Sequence, residues 1–349
     1  MGVDPVTLLG PRVETYWVDL LDDDDNFVRT LPTVESGSGT VTGNLDATIR
    51  GGCSVTIHEE LDWLTARLRP WVRVNDQSWP LGVYLTSSPS LKNSATGQAW
   101  QVGGLDKTVI LDEWKSDESF VVNAGVAVVP KVIDLINSVG ETRITATDST
   151  KVTKYSHTWK PGTSMLEIIN DLLKSIGYDE VWADGFGFYR LQPYVDPWNR
   201  SIVRTFEAGS ASIHSPNWSR DQDIASVPNK VVAVTTGTGP EPGMIATATN
   251  TRDDSPYSYQ NRGGRWVVKH YEGVEAVDQA SLNALAERYL WGSSTPSANL
   301  KVSHAVVPID AGDVVRFIST DINVRATVSE FKVPLKVGGL CDGVWTEIT

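Results

Sequence analysis

The stretch Leu61–Ser88, LDWLTARLRPWVRVNDQSWPLGVYLTSS, decides the fold class of this chain. In residues 71–75, Val72 and Val74 alternate with Trp71, Arg73 and Asn75, which is the period-two pattern of a strand with one buried face. The segment 76–78 (DQS) has turn chemistry, and residues 81–86 form a second run rich in β-forming residues, with Gly82 as the expected bulge. The stretch contains no nucleophile beside a base, no metal-ligand cluster and no phosphate-binding loop. It therefore predicts a β-hairpin that acts as scaffold.

Further strands surround this hairpin. Residues 13–21 and 27–31 alternate around the run Asp22–Asp25, which predicts a hairpin with an acidic tip. Four aspartates could coordinate calcium, but they lack the spaced ligands and the Gly and Glu of an EF-hand loop, so we expect a solvated turn. Other strands are predicted at 49–57, interrupted by a bulge at the Gly51-Gly52 pair, and at 99–105.

Helical patterns begin near residue 105. Residues 105–114 predict a short helix, and residues 129–139 predict a second one, with Pro130 in the permitted first turn and Gly140 as the stop.

The clearest helix in the chain opens with a capping box, Ser164 to Glu167, and ends at Gly177. Its apolar stripe consists of Met165, Ile168, Ile169, Leu172, Leu173 and Ile176. Strands predicted at 180–183 and 186–191, joined by a turn at Asp184-Gly185, give the stripe a small sheet to cover. Residues 113–205 therefore predict a small α+β domain.

The rest of the chain returns to strands around one more helix. The predicted elements are strands at 227–236, 244–249 and 265–270, a helix at 277–291, and strands at 302–307, 313–318, 324–333 and 337–348. The predicted fold class is α+β, mainly β. Two β regions of similar size at the two ends of the chain indicate a pair of related barrels.

Composition excludes several classes of function. The net charge of −13 argues against a surface built to neutralise phosphates, whereas a passage that DNA must traverse without sticking would favour this sign. No signal peptide and no membrane span is predicted. Cys53 and Cys341 are expected to be free buried thiols.

No group of residues predicts catalysis. The five histidines are scattered without an HExxH pattern, and GxSxG is absent. Glu167 and Asp171, near Asp179, Glu180 and Asp184, come closest to a glycosidase acid pair, but the capping box explains Glu167 and the turn explains Asp184. The loop 237–243 (GTGPEPG) lacks the pattern of a phosphate-binding fingerprint, and its prolines remove amides. We expect no enzyme activity and no catalytic, cofactor-binding or metal-binding residues.

The chain resembles the baseplate hub, or tail-hub minor tail protein, of long-tailed bacteriophages, particularly siphophages of actinobacteria. The matching stretches, in order, are 61–85, 159–176 (WKPGTSMLEIINDLLKSI), 227–232 (VPNKVV) and 311–315 (AGDVV). Proteins of this kind have two tail-tube-like β-barrel domains with α+β domains outside them, and they assemble as trimers.

The resemblance implies a domain division. It places the first tube-like barrel at 1–112, an α+β domain at 113–205, the second barrel at 206–240 and 300–349, and an α+β insertion at 241–299 that packs with the 113–205 domain. Three copies would give six barrels that continue the six-fold tail tube. The barrels would be built around residues 71–86 and around 227–236 with 300–348, and Trp17, Trp79 and Trp345 would lie in the seams between them.

The expected function is a structural hub at the tail tip of the virion, made in the host cytoplasm. The implied partners are two further copies of the chain, the distal tail protein ring, the tape measure protein and tip, fibre or spike proteins, with DNA passing through the channel without specific binding. Because the chain ends at Thr349 directly after its last predicted strand, we expect wall cutting or receptor binding to belong to another protein. One alternative is a cell-wall-directed carbohydrate-binding protein or tail-associated lysin, whose tryptophans would stack on sugars. Another is a tube or distal ring protein of six identical copies.

Overall fold

The computed structural model describes residues 11–32, 34–94, 97–153, 155–222, 224–235, 243–274, 279–293 and 298–348. The chain divides into two compact units. Unit 1 comprises residues 1–218 and 301–345, and unit 2 comprises residues 219–300 and 346–349.

Most elements are strands. The strands are β1 (Glu14–Leu21), β2 (Phe27–Thr30), β3 (Thr40–Asn44), β4 (Gly51–Ile57), β5 (Arg67–Val74), β6 (Gln77–Pro80), β7 (Tyr84–Ser94), β8 (Gly97–Asp106), β9 (Phe120–Val122), β10 (Ile144–Ala146), β11 (His157–Trp159), β12 (Trp182–Ala183), β13 (Tyr189–Leu191), β14 (Ile202–Glu207), β15 (His214–Gln222), β16 (Lys230–Val234), β17 (Ile245–Thr249), β18 (Val268–Tyr271), β19 (Ala298–His304), β20 (Val314–Ser319), β21 (Ile322–Pro334) and β22 (Cys341–Glu347). The helices are α1 (Thr108–Glu113), α2 (Val128–Ser138), α3 (Met165–Ser175) and α4 (Gln279–Gly292). The prediction of a mainly β, α+β fold is confirmed.

One large sheet joins the two ends of the sequence. Its strand order is β15-β19-β22-β21-β3-β4-β8-β7-β5-β1-β2, with β6 on β5 and with β20 joining β21 to β14. The central link is the antiparallel pair β3–β21, in which Thr42 lies opposite Lys332. No closed barrel occurs among the described residues, because the strand path has two ends. The two tube-like barrels and the four-part domain division remain predictions.

The hairpin at the centre of the sequence analysis forms, but its turn lies earlier than predicted. Strands β5 and β6 are antiparallel: Trp71 lies opposite Pro80, and Val74 lies opposite Gln77. The two residues between Val74 and Gln77, Asn75 and Asp76, therefore form the turn. Asn75 adopts φ 56°, a left-handed conformation that asparagine tolerates, as a tight two-residue hairpin requires. The second predicted run instead begins β7, which pairs mainly with β8.

Two other local predictions are wrong. Gly51 and Gly52 pair with β3, and Gly52 also pairs with β8, in both cases without a register shift, so no bulge interrupts β4. Leu105 belongs to strand β8, and the short helix begins only at Thr108. Pairing with β4 overrides the helical pattern of residues 105–107.

The α+β part of unit 1 forms as the helical stripe predicts. Ser164 caps α3, with its hydroxyl accepting from the Glu167 amide at 3.2 Å, and Gly177 follows the helix with φ 77°. The stripe packs with α2 and with the small sheet β10-β13-β12 in one core. The predicted strand pair at 180–191 is shorter than expected, since only β12 and β13 form there.

Unit 2 is built from a three-stranded sheet, β17-β16-β18, and helix α4. Its core consists of Val231, Ala233, Ala246, Ala248, Leu282, Ala286 and Leu290. The loop predicted at 237–243 and the first two residues of the helix predicted at 277–291 lie mostly outside the described residues. The proposed packing of 241–299 with 113–205 remains a prediction.

Candidate functional site

The most distinctive surface of unit 1 is one face of the sheet formed by β3, β4 and β8. Cross-strand partners lie on the same face of an antiparallel sheet, so the pairing register of these strands defines the members of the face. The face consists of Thr40, Thr42, Asn44, Gly52, Ser54, Thr56, Gln101, Gly103 and Leu105. We call it the polar sheet face. None of these positions carries a charge, and all but Leu105 are small or polar.

The opposite face of the same strands is apolar. Val41 lies opposite Val333 and Cys53, and Val55 lies opposite Val102; all five side chains are buried. Burying one face while the other meets solvent fixes the register, since a slip of one residue would exchange the two faces. The polar sheet face is therefore held rigidly outward.

Charged side chains appear only at the margins of the polar sheet face, within the strands described. Glu330 and Lys332 of β21 lie opposite Asn44 and Thr42, and Asn44 Nδ2 donates to Glu330 Oε1 at 3.2 Å. Lys92 of β7 lies opposite Ala99 beyond the other margin. A shallow, open depression of about 520 Å³ lies on this side of the sheet. Its margin mixes both signs of charge.

A buried charge cluster fixes the acidic tip of the β1–β2 hairpin. Lys107 Nζ lies 2.5 Å from Asp25 Oδ2 and 2.6 Å from Glu141 Oε2. Arg67 donates to Asp25 Oδ1 at 2.7 Å and to Glu141 Oε1 at 2.9 Å. Lys107 also donates to the Gly187 carbonyl at 3.0 Å. The cluster ties the hairpin, β5, α1 and the loops of the α+β part together.

This cluster corrects the prediction of a fully solvated acidic turn. Asp25 is only 2% exposed, because its left-handed backbone (φ 60°) turns its carboxylate toward Arg67 and Lys107. Burial alone would lower the pKa of the Arg67 guanidinium, but the carboxylates of Asp25 and Glu141 outweigh burial and raise that pKa. In the part of the chain that the structure describes, no group of three or more His, Cys, Asp or Glu residues is placed to hold a metal.

Four of the five carboxylates considered for an acid pair, all except Glu167, have separate partners. Asp171 accepts from Trp159 Nε1 at 2.8 Å, and Asp184 accepts from Arg190 Nε at 2.8 Å and from two turn amides. Glu180 binds Lys174 at 2.7 Å and Arg50 at 3.1 Å, and the Lys174 hydrogen bond lowers its pKa. Asp179 faces Arg200 at 3.5 Å. These four carboxylates are therefore engaged one by one, with different partners.

Two of the histidines are buried in an aromatic cluster. His304 packs between Phe206 (5.0 Å between ring centroids) and Trp345 (5.6 Å), and burial lowers its pKa to about 4. His214 packs on Phe317 at 5.0 Å. Both cysteines are buried free thiols, as predicted, and burial raises the pKa of each to about 12.

The predicted seam role of the tryptophans needs correction. Trp345 is fully buried and Trp79 is 8% exposed, so both belong to the core of their own chain. Trp17 is half-buried and stacks on Trp71 at 5.6 Å. Among the tryptophans of the described residues, Trp198 has the largest exposed fraction, 57%, and sequence reasoning did not single it out. Its exposure had no sequence signal except the turn residues Asp196 and Pro197 beside it.

The fold is shared with solved tail proteins, two of them from prophages. The tail protein from Neisseria meningitidis MC58 aligns with a TM-score of 0.68 at 12% identity, covering 96% of this chain and 97% of that chain. The 43 kDa tail protein of prophage MuSo2 from Shewanella oneidensis gives 0.65 at 11% identity, with 96% and 98% covered. The prophage tail protein gp18 from Listeria monocytogenes EGD-e gives 0.56 at 13% identity, with 95% and 94% covered.

These identities show a common fold over nearly the whole of each chain. No protein-family model matches the sequence, and a search of curated proteins finds no significant match. Among the described residues, no helix has the length and apolar character needed to cross a membrane.

Proposed function

We propose that this chain is a structural hub of a phage tail tip. In this proposal, three copies form a ring that continues the six-fold tail tube and joins the distal tail ring to the tip or fibre proteins. The tape measure protein and the DNA leave through the ring. The observation that carries the proposal is the uncharged polar sheet face, found in a fold shared with phage tail proteins.

The polar sheet face has the chemistry that a DNA passage requires. A wall of Lys and Arg would bind the phosphates by releasing counterions and would hold the genome as it slides. Small uncharged residues such as Thr42, Ser54 and Gly103 provide no such attraction. The face would therefore line the channel.

The sheet also has edges that a ring would cover. Strand β2 ends the strand path, and its residues Phe27 and Val28 are 58% and 53% exposed. An open edge with apolar side chains invites pairing with another chain. Closed cyclic symmetry would cover such edges with two different surfaces of each copy.

The proposed role is non-enzymatic. The separate partners of Asp171, Asp179, Glu180 and Asp184 support it, because a catalytic acid pair needs carboxyl groups free to meet a substrate. Incubating the protein with purified host cell wall tests the alternative of a carbohydrate-binding protein or lysin. Retention on the wall, or release of wall fragments, would favour that alternative.

Imaging the intact tail by electron cryomicroscopy tests the hub proposal. We expect three copies around the tail axis, with Thr42 and Ser54 toward the lumen. Six copies in the ring, absence from the tail tip, or a polar sheet face turned away from the axis would contradict the proposal.

A further inference from the structure

A patch of arginines and exposed aromatic rings stands out on this acidic chain. We call the cationic patch the group Tyr194, Trp198, Arg200, Arg316 and Arg325, all in unit 1. Tyr194 and Trp198 are 55% and 57% exposed, and nearby Val195, Ile202 and Val203 are also exposed. The patch gathers three arginines on a chain whose net charge is −13.

Contacts within the chain hold the arginines and rings of the patch in place. Arg325 donates to the Arg200 carbonyl at 2.7 Å and lies over the Trp198 ring at 5.5 Å. Arg200 donates to the Val195 carbonyl at 2.7 Å and lies over the Tyr194 ring at 5.7 Å. Aromatic rings held in place at a surface bind partners at low entropic cost.

The positive charge of the patch is poorly neutralised. Arg316 and Arg325 are direct cross-strand partners on β20 and β21, an arrangement in which like charges destabilise the pair. Neither forms an ion pair with a carboxylate among the described residues; Arg316 donates to Asn323 instead. Arg200 meets Asp179 only at 3.5 Å. An anionic partner would relieve this repulsion.

The acidic turn at the tip of the β1–β2 hairpin has the complementary properties. Asp22 accepts from the amides of Asp24 (3.0 Å) and Asn26 (2.8 Å), and Asp25 is anchored in the buried charge cluster. Asp23 and Asp24 are left exposed, with no ion pair in the described part of the chain. Arg143 contacts only the Asp24 carbonyl and the Asn26 side chain here, besides Asp25 at 3.9 Å.

We propose that the acidic turn of one copy binds the cationic patch of the next copy in the ring. This inference rests on the proposed hub function. A closed ring needs a surface that differs from its partner surface, and a rigid acidic tip facing a rigid cationic patch gives such a pair. The contact would set the direction in which copies join and would weaken as salt rises.

Variants that reverse the charge of either surface test the contact. The measurement is the mass of the assembly as a function of protein concentration at low salt. We expect Arg316→Glu/Arg325→Glu and Asp23→Lys/Asp24→Lys each to weaken assembly about tenfold or more, as loss of close charge pairs across an interface does. Combining all four changes should restore assembly. The control Asp117→Lys/Glu118→Lys, with the same charge change at another exposed pair, should leave assembly unchanged.

The outcomes separate this contact from the hub function. Melting temperatures of the variants establish that each one is folded. A wild-type ring that the charge changes do not weaken, or that the combined variant does not restore, overturns the contact and leaves the ring standing. A wild-type chain that stays monomeric at every concentration overturns both.

Discussion

Lys107 Nζ lies 2.5 Å from Asp25 Oδ2, and both side chains are fully shielded from solvent. Removing one member of a buried charge cluster leaves the other charges uncompensated. We expect Lys107→Met to cost about 3–5 kcal/mol of unfolding free energy, measured by urea denaturation. Lys115→Met is the matched control, because Lys115 is half exposed beside Asp112 at 3.3 Å, and it should cost less than about 1 kcal/mol. Equal losses in the two variants would mean that the cluster is hydrated.

Leu172 lies at the centre of the α3 stripe and is fully buried. We expect Leu172→Ala to lower the unfolding free energy by about 2–5 kcal/mol, since the truncation removes buried methyl groups and leaves a cavity. Lys174→Ala on the exposed side of the same helix should cost less than about 1 kcal/mol. An unchanged melting temperature for Leu172→Ala would contradict the assignment of this helix to the core.

His304 should make stability depend on pH. Burial depresses its folded-state pKa to about 4, so between pH 6.5 and 4 the unfolded chain takes up a proton that the folded chain refuses. Stability therefore falls as the pH is lowered through this window, by about 3 kcal/mol from this group. Replacing His304 with Phe keeps an aromatic ring and should flatten the pH profile by that amount. Parallel profiles for the two proteins would show that His304 titrates normally.

Neighbouring glycines of β8 should respond oppositely to a methyl group. A Cβ at Gly104 would lie 2.7 Å from Cys53 Sγ and 2.9 Å from Tyr84 Cβ, on the core face. A Cβ at Gly103, on the polar sheet face, would meet Ser87 Oγ at 3.4 Å. We expect Gly104→Ala to cost about 1–3 kcal/mol and Gly103→Ala to stay within about 0.5 kcal/mol of wild type in thermal melts. Reversed costs would mean that the faces are misassigned.

Positive charge added to the polar sheet face should create affinity for DNA. We expect Thr42→Lys/Gln101→Lys to hold double-stranded DNA in a gel-shift experiment, with binding that falls steeply between about 50 and 200 mM salt. Thr42→Glu/Gln101→Glu, with the opposite charge, should show no shift. In phage particles the lysine variant should slow genome release. DNA binding by the glutamate variant, or by wild type, would contradict the proposed lining.

The sequence predicted best those elements in which regularly spaced apolar residues mark the buried face. The α3 stripe could be read directly, because a helix that covers a sheet needs one apolar face. Strand β3 was not predicted, although Thr40, Val41 and Thr42 alternate in polarity. Contacts between residues far apart in the sequence could not be predicted. Nothing near Asp25 in the sequence indicates Lys107 or Glu141, and nothing in the strand pattern of β3 selects β21 rather than a neighbour within a closed barrel. Trp345 shows the same limit, since tryptophan occurs in cores and at interfaces alike.

The pairing of β3 with β21 has a consequence for how the chain is made. These strands lie about 290 residues apart, so the sheet has a very non-local contact that raises the entropy cost of folding. During synthesis, β3 and β4 leave the ribosome long before β21 exists, with one edge of β3 unpaired. Completion of the sheet must wait for the last strands. A chain that terminates before β21 is complete should therefore be prone to aggregation, while the α2–α3 core can form early from local contacts.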